Sequence, residues 1–180
     1  MNILAFAASN SKQSINKRLV EYAAQTLGNT KPSAAIDIID LNDFEMPIYS
    51  TDRELDTGIP DAATQFLGKI QAADVIIVSF AEHNGSYTAA YKNIFDWVSR
   101  IDAKVYNDKK IVAFSASPGG MGGASVLAAF AASAQFFGGT ILSTLSVGSF
   151  YDRFDAEKGQ PIDEALAEQI VETLRPIADL

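Results

Sequence analysis

The stretch "NILAFAASNSKQSIN", residues 2 to 16, decides the fold. Residues 3 to 8 are apolar without a break, a short loop of hydroxyls and amides follows, and a helical pattern begins at Ser14. A strand that is apolar throughout is covered on both faces, the mark of a parallel sheet held between two helical layers. In "SINKRLVEYAAQTL" (14–27), Ile15, Leu19, Tyr22, Ala23 and Leu27 share one face at intervals of three and four residues.

The same unit recurs along the chain. Strand-like runs stand at "AAIDIIDL" (34–41), "DVIIVSF" (74–80), "KIVAFSA" (110–116) and "TILSTLSV" (140–147). Helical spacing fills "DAATQFLGKIQAA" (61–73), "TAAYKNIFDWVSRI" (88–101), "GASVLAAFAASAQFF" (123–137) and "DEALAEQIVETLRPI" (163–177). Five alternations of strand and helix predict a three-layer α/β domain around a parallel sheet. With no repeat, low-complexity tract or interior linker, residues 1 to 180 read as a single domain. "NDFEMPIYSTDRELDTGIP" (42–60) is expected to be irregular and to wall a functional site, as long connections often do.

Charge and composition exclude several classes. The net charge is −8, from 22 acidic and 14 basic residues, so the protein's field repels phosphate backbones and anionic lipid, and neither nucleic acid nor membrane is an expected partner. An anionic ligand must instead be held by local donors, such as N–H groups at a helix start. The chain has no cysteine, which rules out disulfides, thiolate zinc and thiol catalysis and fits a reducing, cytoplasmic setting. "MNILAFAAS" lacks a basic n-region, so no signal peptide is expected. With one histidine, and with Asp37, Asp40 and Asp43 placed as a strand end and loop, no metal set is expected.

In an open parallel sheet, ligands sit beyond the carboxyl ends of the strands. Three loops leave the sheet there. In "ASNSKQSIN" (8–16), Ser9, Ser11, Ser14 and Asn16 can donate to phosphate oxygens beside a helix start, or Ser14 can be a plain N-cap; the residues alone leave both open. "SASPGGMGGAS" (115–125) has four glycines around Met121, which fit either a flexible turn or a loop whose N–H groups approach a flat or phosphorylated ligand. "SFAEHNGSY" (79–87) holds the only histidine, and His83 with Ser86 is a weak nucleophile and base pair without a GxSxG elbow. Neither GxxxxGK[ST] nor a full GxGxxG is present.

Together these loops resemble the NADPH-dependent FMN reductase family, flavodoxin-like proteins that include quinone, azo-dye and chromate reductases. The family's G-S-x-R-x-x-S-x-N is matched at Ser9, Ser14 and Asn16. Its P-E-Y-N-x-S followed by L-K-N and D-W is matched at Glu82, Asn84, Ser86, Lys92, Asn93, Asp96 and Trp97. Its S-P-G-G-x-G-G is matched from Ser117 to Gly123. The resemblance runs in order over residues 2 to about 150 and implies a five-stranded parallel sheet of order 2-1-3-4-5 with FMN at the switch point.

The resemblance further implies a phosphate site at Ser9, Ser11, Ser14 and Asn16. It implies a ring site at Ala81, Glu82, His83 and Asn84 on one side, and at Ser117, Pro118, Gly119, Gly120 and Gly123 on the other. The flavin carries the chemistry, so no protein acid or base is required. NADPH or NADH would be the electron donor, a quinone, azo compound, free flavin or metal oxyanion the acceptor, and a homodimer or homotetramer the assembly, with Tyr91, Phe95, Trp97 and Val98 as candidate contacts. A flavodoxin-like electron carrier without nucleotide activity is the rival. The chain departs from the family at four places: Ser11 replaces arginine, leaving Lys12 or Lys17 as the cation; Ala81 replaces proline; His83 replaces tyrosine; and Met121 replaces arginine. An imidazole at position 83 can carry charge where tyrosine stays neutral, and so predicts an altered pH dependence of the flavin.

Overall fold

Alternate side chains of the first strand enter two different cores. Leu4, Phe6 and Ala8 pack on one side of the sheet, while Ile3, Ala5 and Ala7 pack on the other. Unbroken apolarity in the sequence thus becomes burial on both faces, as a parallel sheet under two helical layers requires.

The computed structural model describes all residues 1–180. In chain order the elements are β1 (Asn2–Ala8), α1 (Ile15–Thr30), β2 (Ala35–Ile39), α2 (Thr51–Thr57), α3 (Asp61–Ala72), β3 (Val75–Phe80), β4 (Glu82–His83), β5 (Ser86–Tyr87), α4 (Ala89–Ile101), β6 (Lys110–Ala116), α5 (Ala124–Ser133), β7 (Thr140–Val147), α6 (Phe150–Arg153), β8 (Phe154–Asp155), β9 (Gln160–Pro161) and α7 (Glu164–Ala178). The main sheet is parallel with order β2-β1-β3-β6-β7, the flavodoxin-like 2-1-3-4-5. Helices α1 and α7 cover one face, and α3, α4 and α5 cover the other. The second layer is rich in rings: Phe6, Phe66, Phe80, Tyr91, Tyr106 and Phe130 form a continuous aromatic cluster, with neighbouring centroids 4.8 to 6.4 Å apart.

Register sets where the site lies. Ala8 is paired with Phe80, and Phe80 with Ser115, so β1, β3 and β6 end at one level and release their loops side by side.

Three expectations are corrected. Segment 42–60 is irregular only in part: a 3-10 turn spans Leu41–Phe44 and α2 follows, with residues 45–50 as loop between them. Helix α2 buries no residue and so leaves no apolar period to read; its N-cap Ser50 accepts from the Arg53 N–H at 3.2 Å. The apolar run 123–137 is helical only to Ser133 and tightens into a 3-10 turn over Ala134–Phe137. The second strand ends at Ile39, because the Asp40 side chain caps the turn beyond it at the Asn42 N–H.

Candidate functional site

The first loop is built of hydroxyls that cap backbone. Ser9 Oγ accepts from the Ser11 N–H at 3.3 Å, Ser11 Oγ from the Gln13 N–H at 3.3 Å, and Ser14 Oγ from the Lys17 N–H at 3.3 Å. A serine that accepts through its oxygen keeps its O–H free to donate, so the N-cap and anion readings of Ser14 are compatible. The N–H groups of Ile15 and Asn16 make no hydrogen bond within the chain, as at any helix start, and they carry the positive end of the α1 dipole.

Two residues assigned to this loop have other positions. Lys17 is committed to an ion pair with Asp40, whose carboxyl is held below its ordinary range, first by that hydrogen bond. Lys12 is exposed and makes no ion pair, so it is the cation this loop has to offer. Asn16 is only 2% exposed, and its amide faces inward. Its Oδ1 accepts from Ser79 Oγ at 2.8 Å and from the Ala116 N–H at 2.9 Å, and its Nδ2 donates to the Ala116 carbonyl at 3.1 Å. The side chain therefore points into the protein, and only the Asn16 backbone N–H remains for an anion.

The second loop is a two-residue hairpin. Glu82 pairs with Tyr87 and His83 with Ser86 across a turn in which Asn84 (φ 53°) and Gly85 (φ 76°) are both left-handed, the type I′ pattern that favours Asn-Gly. His83 and Ser86 are cross-strand neighbours, and no hydrogen bond joins their side chains, so they do not form a nucleophile and base pair. His83 and Asn84 are exposed, and Ala81 and Glu82 are half-buried. Glu82 Oε2 accepts from the Val126 N–H at 2.9 Å and so caps α5, whose N-cap residue Gly123 has no side chain to do it. Tyr87 braces the hairpin against Phe80 and Tyr91, at 5.6 and 5.5 Å between centroids, and burial pushes its hydroxyl pKa up.

Glycines in the third loop serve two ends. Gly122 (φ 61°) and Gly123 (φ 79°) are buried: a Cβ on Gly122 would lie 2.5 Å from Ser146 Oγ, and one on Gly123 2.9 Å from Ser115 Cβ. They let the loop close onto β6 and β7, where Ser115 Oγ and Ser146 Oγ both donate to the Gly122 carbonyl. Gly123 thus lies behind the surface, not on it. Pro118, Gly119 and Gly120 are exposed, a Cβ on Gly120 would meet nothing within 4 Å, and the N–H groups of Gly119, Gly120 and Met121 have no partner in the chain. Ser117 is half-buried and donates to the Gly119 carbonyl at 3.0 Å.

Beside the first loop lies a cavity of about 390 Å³, lined by Asn10, Leu41, Phe44, Met46, Ala90 and Asn93 among others. Its outer wall is the segment expected to flank the site, and α4 holds that wall in place. Asn93 Oδ1 accepts from the Tyr49 N–H at 2.8 Å, and its Nδ2 donates to the carbonyls of Met46 and Pro47 at 3.1 Å.

Several residues that shape the site were not singled out from sequence. Ser79, Thr88 and Ser115 are buried hydroxyls at strand ends. Thr88 caps α4 and donates to the Ala8 carbonyl at 3.0 Å, tying the second loop to the first strand. The signal available was a hydroxyl inside an apolar run, as in "DVIIVSF" and "KIVAFSA". Of the α4 residues proposed as contacts between copies, Tyr91, Trp97 and Val98 belong to the chain's own core, and Phe95 packs on Phe137 at 4.8 Å. Burial also raises the pKa values of Tyr91 and Tyr106, whose hydroxyls lie 2.7 Å apart. No group of histidine, aspartate and glutamate side chains is placed to hold a metal ion. No helix is long and apolar enough to cross a membrane.

These features were compared with known proteins. A probable NADPH:quinone oxidoreductase 2 from Oryza sativa subsp. japonica is 32% identical over 123 residues, covering 68% of this chain and 59% of the rice protein. An NADPH:quinone oxidoreductase from Arabidopsis thaliana is 32% identical over the same length, covering 68% and 61%. The chain thus spans about six-tenths of the length of these relatives. Among solved structures, the flavoenzyme NAD(P)H:(acceptor) oxidoreductase of Paracoccus denitrificans superposes with a TM-score of 0.75 at 21% identity, over 99% of this chain and 95% of that one, a likeness of fold. The NADPH-dependent FMN reductase profile matches residues 1–152, which include all three loops and all five strands of the main sheet. By that match, the chain belongs to the NADPH-dependent FMN reductase family.

Proposed function

We propose that the protein is an FMN-dependent NAD(P)H oxidoreductase, which passes a hydride from NAD(P)H to bound FMN and then reduces a quinone, azo, flavin or metal-oxyanion acceptor. The observation that carries this reading is the set of unspent donors at one sheet edge. The serine hydroxyls and the Ile15 and Asn16 N–H groups stand at one end, and the N–H groups of Gly119, Gly120 and Met121 at the other. Both ends fit the group: a dianionic phosphate suits a helix start with hydroxyls, and a flat ring suits exposed glycine backbone where a Cβ would meet nothing. When bound, FMN supplies the hydride chemistry.

The chain's own residues supply the setting. Lys12 supplies positive charge to an anion, and the hydroxyls of Ser9, Ser11 and Ser14 orient it. The glycine N–H groups donate toward the ring end, and the hairpin presents His83 and Asn84 at the rim. The 390 Å³ cavity beside Asn10 offers an apolar acceptor a place next to the same edge. A homodimer or homotetramer accompanies this reading, with the exposed Ile48 (68%) and Leu55 (80%) as apolar surface for a second copy. A cytoplasmic setting suits a chain without cysteine.

Titrating the protein with FMN, and following the visible band and flavin fluorescence, tests the reading. A band shift and quenching are expected, followed by anaerobic bleaching on addition of NADPH or NADH. Absence of any shift or quenching removes the proposal. Binding without bleaching by either nucleotide assigns the chain to electron carriage instead.

A further inference from the structure

Asn16 joins the two ends of the candidate site. Strand β3 follows β6 as far as the pair Phe80 and Ser115, and at Ala81 the chain turns away into the hairpin. Ala116, the next residue of β6, would be left with an N–H and a carbonyl facing an abandoned strand position. The Asn16 amide occupies that position: Oδ1 accepts from the Ala116 N–H, Nδ2 donates to the Ala116 carbonyl, and Ser79 Oγ completes the second lone pair of Oδ1. The side chain acts as a substitute peptide group. Aspartate would lose the donor, leucine both functions, and glutamine is one methylene too long.

We propose that Asn16 is a positioning residue, an amide clamp from the start of α1 that fixes the diverging tips of β3 and β6, so that the two loops forming the ring end of the site, which FMN and riboflavin share, keep their shape. The clamp lets the second and third loops diverge without leaving buried backbone groups unpaired, and that divergence is what opens the crevice. The inference rests on the flavin reading above and goes beyond it, because it takes the Asn16 side chain away from the phosphate.

The test compares FMN with riboflavin, which lacks the phosphate, in the parent chain and in Asn16→Asp and Ser79→Ala. Dissociation constants are read by fluorescence quenching well below each variant's melting temperature. Asn16→Asp is expected to weaken both flavins by a similar factor, about tenfold, and to move the visible band of the bound flavin. Ser79→Ala, which removes a single bond, is expected to weaken both about threefold, and it decides alone if Asn16→Asp does not fold. A loss confined to FMN makes Asn16 a phosphate ligand and overturns the clamp. Unchanged affinity and spectrum beside a lowered melting temperature overturn it as well, leaving a role in stability alone. A parent that binds neither flavin overturns the reading of function and the clamp together, whereas a parent that binds both isolates the clamp.

Discussion

The indole N–H of Trp97 donates to the Pro47 carbonyl at 2.7 Å, across fifty residues of sequence. Asn93, one helical turn earlier, donates to the same carbonyl and to that of Met46 and accepts from the Tyr49 N–H, so the pair (i, i+4) grips residues 46 to 49 from one face of α4. Trp97→Phe keeps the ring against Tyr49 and removes one donor. A loss of about 1 to 3 kcal/mol in denaturant unfolding is expected, with faster amide exchange in 46–60 than in the sheet. Unchanged exchange there would show that the grip does not hold the wall.

The cap that Glu82 places on α5 gives a graded test. Glu82→Gln keeps an acceptor for the Val126 N–H and loses the charge that favours a helix start, whereas Glu82→Ala loses both. Losses of about 0.5 and 1.5 kcal/mol are expected in that order, read from chemical denaturation. Equal losses would assign the effect to packing.

Glycines of the third loop divide by position. Gly122→Ala places a methyl 2.5 Å from Ser146 Oγ and 2.6 Å from the Gly148 nitrogen in a left-handed backbone, so it should cost more than about 2 kcal/mol. Gly120→Ala meets nothing within 4 Å, so stability should change by less than about 1 kcal/mol while FMN affinity falls. Intact flavin binding in Gly120→Ala would remove that glycine from the ring site.

The Lys17 and Asp40 pair predicts a dependence on acid. The carboxyl is held below the ordinary aspartate value of 3.8, so its contribution to stability is complete above that value and is lost as pH falls through the folded pKa. Asp40→Asn should therefore be less stable than the parent at pH 7, and the gap should narrow as pH falls below the ordinary value of 3.8 and through the lowered folded pKa. A constant gap across the range would mean that the pair does not couple protonation to folding.

The three central strands were legible because they are buried on both faces, and burial leaves a compositional trace in runs such as "DVIIVSF", whereas the edge strands β2 and β7 are largely half-buried or exposed. Their order came from the resemblance, since no period in a strand names its neighbour. The loops of the site were legible as motifs, while the direction of each side chain was not. Asn16 and Ser14 stand two residues apart in one motif, yet one side chain faces the interior and the other the loop, as the turn of α1 dictates. Helix α2 left no trace because it buries nothing. The tasks of Asn93 and Trp97 were hidden because their partners are carbonyls, which every residue has.

Of the four positions where this chain parts from the pattern it resembles, Ser11, His83 and Met121 are exposed, Met121 to 72%, and Ala81 is half-buried. Asn16, Trp97 and Gly122, where it keeps the pattern, are buried and bonded inward or wedged. Most of the departures therefore stand at the brim of the crevice, where a different side chain changes what is met from solvent and leaves the foundations untouched. Such a protein can exchange one reaction partner for another by replacing a few projecting residues, without having to learn again how to fold.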